Sequence, residues 1–170
     1  MPRSFDMSAD YGGTVEQVHR AFSDENYWLA RLADSGADDA TLDSMRLGDD
    51  GSIDVITTQV LRSDRLPGLV TQFHRGDLCI RREETWGPVT DGSAHATVTG
   101  SILDAPVGLT GTAVLAPLPE TGGARLTFRA TVEVRIPLVG GKIENFIGNQ
   151  LVELLIAEQR FTTMWIRENA

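Results

Sequence analysis

Apolar and polar residues alternate with a period of two in seven segments of the chain, and this pattern predicts β-strands. In the first segment, residues 4–10, Phe5, Met7 and Ala9 share one face. The other segments follow residue 38 and span about residues 40–48, 52–62, 77–87, 93–103, 107–117 and 123–136. Short turns rich in Asp, Gly and Pro separate them, so the connections are hairpin-like and we expect an antiparallel sheet.

The last of these segments alternates most regularly. Its apolar face carries Leu126, Phe128, Ala130, Val132, Val134 and Ile136, whereas Arg125, Thr127, Arg129, Thr131, Glu133 and Arg135 occupy the other face. An antiparallel sheet with one buried and one solvated face has this pattern. Pro137 ends the strand because proline has no N–H to donate to a neighbouring strand.

Helical spacing occurs near both ends of the chain. Thr14 followed by Gln17 is typical of a helix N-terminus, and a second short helix is predicted at about residues 24–32. After Gly140 and Gly141 the 3.6-residue period predicts a helix of about 27 residues, roughly 40 Å long. Its apolar stripe, which the sheet must cover, consists of Ile143, Phe146, Ile147, Leu154, Phe161, Met164 and Trp165.

Two features of the long helix depart from a simple apolar stripe. Gln150 lies within the stripe, and burying its amide unpaired would cost about 1–3 kcal/mol, so we expect it to bind a strand, an ordered water or a ligand. Val152, Leu155 and Ile156 lie beside the stripe and make the middle of the helix apolar nearly all round. Either the N-terminal helices cover this patch, or it mediates a homodimer or another protein contact.

Residues 66–73 are apolar but follow neither period. This segment includes Leu66, Leu69 and Phe73, and it is predicted to form a short helix or a flap over one end of the sheet. A flap of this kind would open and close a cavity behind it.

Composition indicates one globular domain over residues 1–170, since 41% of the residues are apolar and 23% are charged. The net charge of −9 disfavours nucleic acid and anionic membrane surfaces as partners. No run of about 18 apolar residues occurs, so stable membrane insertion is not expected. Cys79 is the single cysteine and fits a reducing compartment, so we expect the protein to be cytoplasmic.

Small residues on neighbouring strands suggest unfilled space beneath the long helix. The expected inward positions include Ala96 and Val98 on one strand and Gly111 on the next. Small side chains there would leave a pocket for a small hydrophobic ligand, unless bulky neighbours such as Phe128 and Trp86 fill it. The predicted ligand-binding residues are Gln59, Leu66, Leu69, Phe73, Arg82, Glu84, Trp86, Ala96, Val98, Gly111, Phe128, Val132, Ile143, Phe146, Ile147, Gln150 and Leu154.

Arg82 and Glu84 face inward if Ile80 and Trp86 do, because residues two apart share a strand face. An inward pair would orient a polar head group or form an ion pair near the rim, whereas the opposite register leaves both in solvent. Trp86 favours the inward register. The facing of Gln59 stays open, since both faces of its strand carry apolar residues.

The order of strand, two short helices, six-stranded meander and terminal helix resembles the START-like superfamily, also called SRPBCC or helix-grip. The local sequences that carry the resemblance are residues 82–86 and 136–144. It implies an α+β fold in which a curved antiparallel sheet of about seven strands surrounds the C-terminal helix. It also implies an apolar cavity that holds a lipid, an isoprenoid or a polyketide-like compound.

Familiar catalytic motifs are absent from the sequence. The histidines, His19, His74 and His95, stand far apart and lack metal-ligand spacing, so we expect no metal and no cofactor. No nucleophile elbow, dinucleotide fingerprint or phosphate loop occurs. The preferred interpretation is a carrier or sensor, and the alternative is a cyclase- or dehydratase-like enzyme with Glu84 and Arg82 as weak catalytic candidates.

Overall fold

The computed structural model describes residues 2–71 and 74–169. The strands are β1 (Arg3–Tyr11), β2 (Asp39–Leu47), β3 (Ile53–Leu61), β4 (Leu78–Trp86), β5 (Ala94–Ile102), β6 (Val107–Leu118) and β7 (Gly123–Val134). The helices are α1 (Val15–Phe22), α2 (Glu25–Asp34), α3 (Gly68–Thr71) and α4 (Gly140–Glu168), with a short 3-10 helix at Ser63–Arg65. The predicted α+β helix-grip fold is confirmed.

All strand pairs are antiparallel, and the strand order across the sheet is β1-β7-β6-β5-β4-β3-β2. The first strand therefore crosses to pair with the last, and β1 and β2 form the two edges. α4 packs against β1 and β7 of the curved sheet. It also contacts the N-terminal helices α1 and α2.

The predicted start of α1 is confirmed by a reciprocal capping box. The backbone N–H of Gln17 donates to the side-chain oxygen of Thr14 at 3.2 Å, and the backbone N–H of Thr14 donates to Gln17 Oε1 at 2.9 Å. Each bond satisfies a donor that the first turn of a helix leaves free. Asp24 caps α2 in a similar way through the N–H of Asn26.

The strand register resolves the facing of β3 and β4. Ile53 lies opposite Trp86, Val55 opposite Glu84 and Thr57 opposite Arg82. Because Ile53, Val55, Thr57 and Trp86 are all buried, this set faces the concave side, and Arg82 and Glu84 face it as well. The inward register of Arg82 and Glu84 is therefore confirmed, and Gln59 shares their face.

Close backbone approach fixes the N-terminal half of α4. A Cβ atom added at Gly148 would overlap the ring of Phe5, and one added at Gly140 would lie 2.7 Å from the carbonyl oxygen of Val134. Glu144 is fully buried, and its Oε2 accepts the N–H of Val134 at 2.9 Å. These contacts seat the helix on β1 and β7.

The predicted stripe of α4 is partly wrong. Gln150 and Met164 are exposed, and Leu154 is 36% exposed, whereas Glu144 and Thr162 are fully buried. The buried side of α4 is rotated relative to the predicted stripe. It is rotated because Gly148 allows the ring of Phe5 to approach and because the polar side chains of Glu144 and Thr162, which have hydrogen-bond partners, occupy core positions. The expectation that Gln150 needs a buried partner is therefore wrong.

The middle of α4 is not fully covered by the N-terminal helices. Val152 is 42% exposed and Ile156 is 40% exposed, whereas Leu155 packs against the core. The expected covering of this patch is therefore wrong for Val152 and Ile156.

Among the helices that the structure describes, none has the length and hydropathy that a membrane span requires.

Candidate functional site

Four charged side chains meet on the concave side of the sheet, and we call them the ion-pair cluster: Arg31 of α2, Arg82 and Glu84 of β4, and Glu158 of α4. Arg82 Nη2 lies 3.0 Å from Glu84 Oε1 and donates to Glu158 Oε2 at 2.8 Å. Arg31 Nη2 lies 2.6 Å from Glu158 Oε2 and 3.5 Å from Glu84 Oε1. Three elements distant in sequence are thereby joined by two cations and two anions.

A directed chain of hydrogen bonds surrounds the cluster. Arg31 Nη1 donates to Tyr27 Oη at 3.2 Å, and Thr162 Oγ1 donates to the carbonyl oxygen of Glu158 at 2.7 Å. Since the Thr162 hydroxyl has one proton, the 2.6 Å bond between Tyr27 and Thr162 must be donated by Tyr27. The chain links the Arg31 side chain through Tyr27 and Thr162 to the backbone of α4 at Glu158.

Aromatic rings complete the surroundings of Arg31 and Glu84. The guanidinium carbon of Arg31 lies 4.6 Å from the ring centroid of Trp28, within the range of a cation–π interaction. Trp86 Nε1 donates to Glu84 Oε2 at 3.3 Å. Both carboxylate oxygens of Glu84 are therefore engaged, one by arginine and one by tryptophan.

Arg31 and Glu158 stabilise each other's charged forms. Burial alone would raise the pKa of Glu158, but the guanidinium groups of Arg31 and Arg82 outweigh it and hold that pKa below its ordinary value. Burial alone would lower the pKa of Arg31, but the carboxylates of Glu158 and Glu84 and the Tyr27 hydroxyl raise it well above its ordinary value. A permanently ionised Glu158 is a poor proton donor or acceptor at neutral pH.

A pocket of about 70 Å³ adjoins the ion-pair cluster. Its walls come from α2, β3, β4 and α4, and they combine apolar, aromatic and charged side chains. The lining residues are Trp28, Arg31, Leu32, Asp34, Ser35, Thr57, Gln59, Arg82, Leu154, Ala157, Glu158 and Phe161. This volume accommodates several water molecules but is below the 300–1,000 Å³ that is common for drug-sized ligands.

The structure brings together some of the predicted site residues and separates others. Gln59, Arg82 and Leu154 line the pocket, and Glu84 belongs to the ion-pair cluster beside it. Trp86, Ala96 and Val98 are buried and are not among the residues that line the pocket. Leu69, Val132, Ile143 and Ile147 belong to a second apolar cluster near the start of α4.

The remaining predicted residues do not line the pocket. Leu66 and Phe146 are half-buried, Gln150 is exposed, and Phe73 lies outside the described residues. α3 confirms the short helix expected within residues 66–73, although its role as a flap stays a prediction.

Phe128 fills part of the predicted hollow. A Cβ atom added at Gly111 would lie 2.7 Å from Phe128 Cζ, so the ring rests where a larger side chain would stand. Phe128 pairs with Ala113 across the strands and leans towards Gly111. The small residues of β6 thus accommodate an aromatic ring at this position.

Sequence reasoning missed Trp28, Arg31 and Glu158. The signal for Glu158 was present, because it follows Leu154 by four residues and Leu155 by three in an amphipathic helix. A carboxylate at such a position indicates a buried cationic partner. No comparable signal identified Arg31, whose partners come from distant elements.

Solved structures with the same architecture come from several bacteria and a plant. The crystal structure of TTHA0849 from Thermus thermophilus aligns with a TM-score of 0.63 at 15% identity, covering 99% of each chain. The Zhui aromatase/cyclase from Streptomyces sp. R1128 aligns with a TM-score of 0.62 at 8% identity, covering 99% of this chain and 95% of the other. Norcoclaurine synthase from Thalictrum flavum aligns with a TM-score of 0.56 at 12% identity, covering 99% and 88%.

At these identities the similarity concerns the fold, which is of the START-like, or SRPBCC, type. The predicted superfamily resemblance is confirmed. Residues 6–166 match the model of the family described as "Protein of unknown function (DUF2505)", and the chain belongs to that family. Uncharacterized proteins of Mycobacterium tuberculosis strain H37Rv and of Mycobacterium bovis are 62% identical over 173 residues, covering 99% of each chain.

Proposed function

We propose that the protein binds a small, mainly apolar ligand between α2, the concave face of the sheet and α4, as a carrier or sensor. The observation that carries this proposal is the pocket beside the ion-pair cluster. Trp28, Leu32, Leu154 and Phe161 offer apolar contact area there, while Arg31 supplies a fixed polar group. Pockets that combine apolar walls with a few oriented polar groups are typical ligand sites.

Binding of a larger ligand requires the pocket to widen. Leu154 is the side chain best placed for this, because it lines the pocket and is already 36% exposed. Rotation of this leucine towards solvent would enlarge the mouth without disturbing the buried positions of α4. The proposed setting is the cytoplasm, in keeping with the single cysteine.

Binding is favoured over catalysis by the lowered pKa of Glu158 and by the contacts that hold Glu84. Glu84 is held by Arg82 and Trp86, and Glu158 is held ionised by two arginines. General acid–base catalysis requires a group that gains and loses a proton near the working pH. The cyclase and synthase activities named for the structural neighbours are therefore the second choice for this chain.

Native mass spectrometry of protein purified from cells tests the proposal. We expect an additional mass from a co-purifying hydrophobic compound. Leu154→Trp should remove that mass by filling the pocket, whereas Leu29→Trp, at a 48% exposed position of α2 outside the pocket, should retain it. The proposal fails if the wild-type protein carries no such compound and binds none when it is offered.

A homodimer is a second proposal, favoured by one observation. Val152 and Ile156 lie one helical turn apart on α4 and are both about two-fifths exposed. Sedimentation velocity over a range of concentrations should detect dimerisation, and Ile156→Glu should weaken it. Leu103→Glu, at an exposed leucine in the turn after β5, is the matched control. A monomer at every concentration would contradict this proposal.

A further inference from the structure

The rim of the pocket carries a carboxylate without a cationic partner. Asp34, the last residue of α2, lines the pocket and is exposed. Among the described residues its side chain forms no ion pair, and the arginines that follow β3, Arg62 and Arg65, pair with Asp38. The backbone dipole of α2 adds partial negative charge at the same place, because Asp34 ends that helix. The rim therefore favours a positive charge.

The rest of the pocket does not supply this positive charge. Arg31 and Arg82 both line the pocket, but they contact the carboxylates of Glu84 and Glu158 at distances of 2.6–3.5 Å. The two positive and two negative charges of the ion-pair cluster cancel, so the Asp34 carboxylate leaves the site with one uncompensated negative charge. An anionic ligand would add to this charge, whereas a cationic ligand would neutralise it.

Two polar side chains of β3 add hydrogen-bond acceptors to the lining. Thr57 is 4% exposed and Gln59 is half-buried, and both line the pocket. The β3 side chains that form hydrogen bonds, Asp54 and Thr58, lie on the opposite face, and among the described residues Thr57 and Gln59 form none. The Thr57 oxygen is not fully enclosed, so it is reachable from the pocket. A hydroxyl this deeply buried normally has a partner, and a ligand donor would supply one.

We infer that the ligand is a small apolar amine whose ammonium group lies at the rim beside Asp34 and whose apolar part lies against Trp28, Leu32 and Phe161. This inference rests on the proposed ligand-binding function and specifies the charged group of the ligand. An ammonium group has three N–H donors, which match the carboxylate, hydroxyl and amide acceptors of the lining. The net charge of −9 acts in the same direction, because it attracts cations towards the protein.

Three probes that share a phenyl ring test the inference: benzylamine with an ammonium group, benzyl alcohol with a neutral hydroxyl, and benzoate with a carboxylate. Each is titrated into the full chain at neutral pH and low ionic strength. The indole N–H signal of Trp28 reports binding by NMR, since its ring lines the pocket. We expect benzylamine to bind about fivefold more tightly than benzyl alcohol, a modest factor because Asp34 is exposed. Benzoate should bind more weakly than either.

Salt distinguishes an ion pair from a neutral contact. Raising the ionic strength from about 0.01 M to about 1 M shortens the Debye length from about 30 Å to about 3 Å. The affinity of benzylamine should therefore fall towards that of benzyl alcohol, whose own affinity should not fall. A benzylamine affinity that salt leaves unchanged would overturn the ion pair with Asp34.

Asp34→Asn removes the charge at the rim and keeps the size of the side chain. Benzylamine should then bind about fivefold more weakly, while the affinity of benzyl alcohol should be unchanged. Asp49→Asn changes the net charge equally at an exposed position outside the pocket, so it should keep the wild-type preference. A preference for benzylamine that survives in Asp34→Asn would overturn the role of Asp34.

The outcomes separate this inference from the proposed function. If benzyl alcohol or benzoate binds the wild-type protein as tightly as benzylamine, the cationic ligand is overturned while ligand binding stands. A co-purifying compound without a basic nitrogen would overturn it in the same way. If no probe shifts the Trp28 signal and no compound co-purifies with the protein, ligand binding itself is overturned and the inference falls with it.

Discussion

Arg31 of α2 and Glu158 of α4 contact each other at 2.6 Å through Nη2 and Oε2, and this ion pair fastens the N-terminal helices to the terminal helix. Both side chains are mostly withdrawn from water, so each depends on the other for its charge to be tolerated. The same pair forms one wall of the pocket. Under the proposed function, stability and ligand binding are therefore coupled through these two residues.

Breaking the pair from one side should be costly. Arg31→Met leaves Glu84 and Glu158 short of a cation, and we expect the free energy of unfolding to fall by about 3–5 kcal/mol. Urea denaturation measures the change. The double variant Arg31→Met/Glu158→Leu should lose clearly less than the sum of the two single changes, because no unpaired member of this pair remains. Additive losses would show that the two residues do not act as a pair.

Acid should destabilise the protein partly through Glu158. The folded pKa of Glu158 lies below its ordinary value of 4.5. Its contribution to the free energy of unfolding is therefore present above pH 4.5 and is lost as the pH falls through the folded pKa. Asp10 and Asp38 also have lowered pKa values and act in the same direction. Urea unfolding at pH 6 and pH 3 should therefore give a lower free energy at pH 3.

Substitution of Glu158 isolates its contribution to the loss of unfolding free energy at low pH. Glu158→Gln cannot lose a charge on acidification, so the fall in unfolding free energy between pH 6 and pH 3 should be smaller in this variant than in the wild type. Glu153→Gln, on an exposed turn of the same helix, is the matched control and should keep the wild-type fall. An equal fall in both variants would mean that folding does not lower the pKa of Glu158.

Gly148→Ala has two effects of opposite sign on the free energy of unfolding. Alanine favours a helix interior over glycine by about 1 kcal/mol, but the new methyl group would overlap the ring of Phe5. We expect overpacking to prevail and the unfolding free energy to fall by about 1–3 kcal/mol. Phe5→Leu in the same chain should recover part of the loss.

A glycine in open space provides the control for this prediction. Among the residues that the structure describes, no atom beyond its own chain neighbours and helix backbone lies within 4 Å of a Cβ added at Gly68, the first residue of α3, so Gly68→Ala should be neutral or slightly stabilising. Stabilisation by Gly148→Ala of the same size would show that the Phe5 ring does not press on α4.

The concave face of the sheet shows what the alternation of residues along a strand predicts and what it does not. Alternation in β4 correctly predicted that Arg82 and Glu84 turn inward with Trp86, since a strand face repeats every second residue. The same reasoning identified the small side chains of β5 and β6, but it did not determine what fills the space above them. Phe128 lies over Gly111 because its neighbours across the strands are small, a relationship that depends on register.

Gln150 and Glu158 show what helical periodicity does not predict for α4. Both are polar residues within a largely apolar segment, yet Gln150 is exposed and Glu158 is mostly buried. Helical periodicity assigns angles around α4, but the angle that faces the core depends on where Phe5 meets Gly148 and where Arg31 and Arg82 meet Glu158. None of these partners is near the helix in sequence.

The amino-acid sequence by itself determined the strands, the capped start of α1 and the extent of α4, because these features follow from local periodicity and from turn and cap chemistry. Only the tertiary structure decided which side of α4 is buried, how Arg31 joins Arg82, Glu84 and Glu158, and where a pocket remains. The physical reason is that these outcomes depend on strand register and on packing between elements far apart in the chain. Such long-range contacts leave little signal in any one segment.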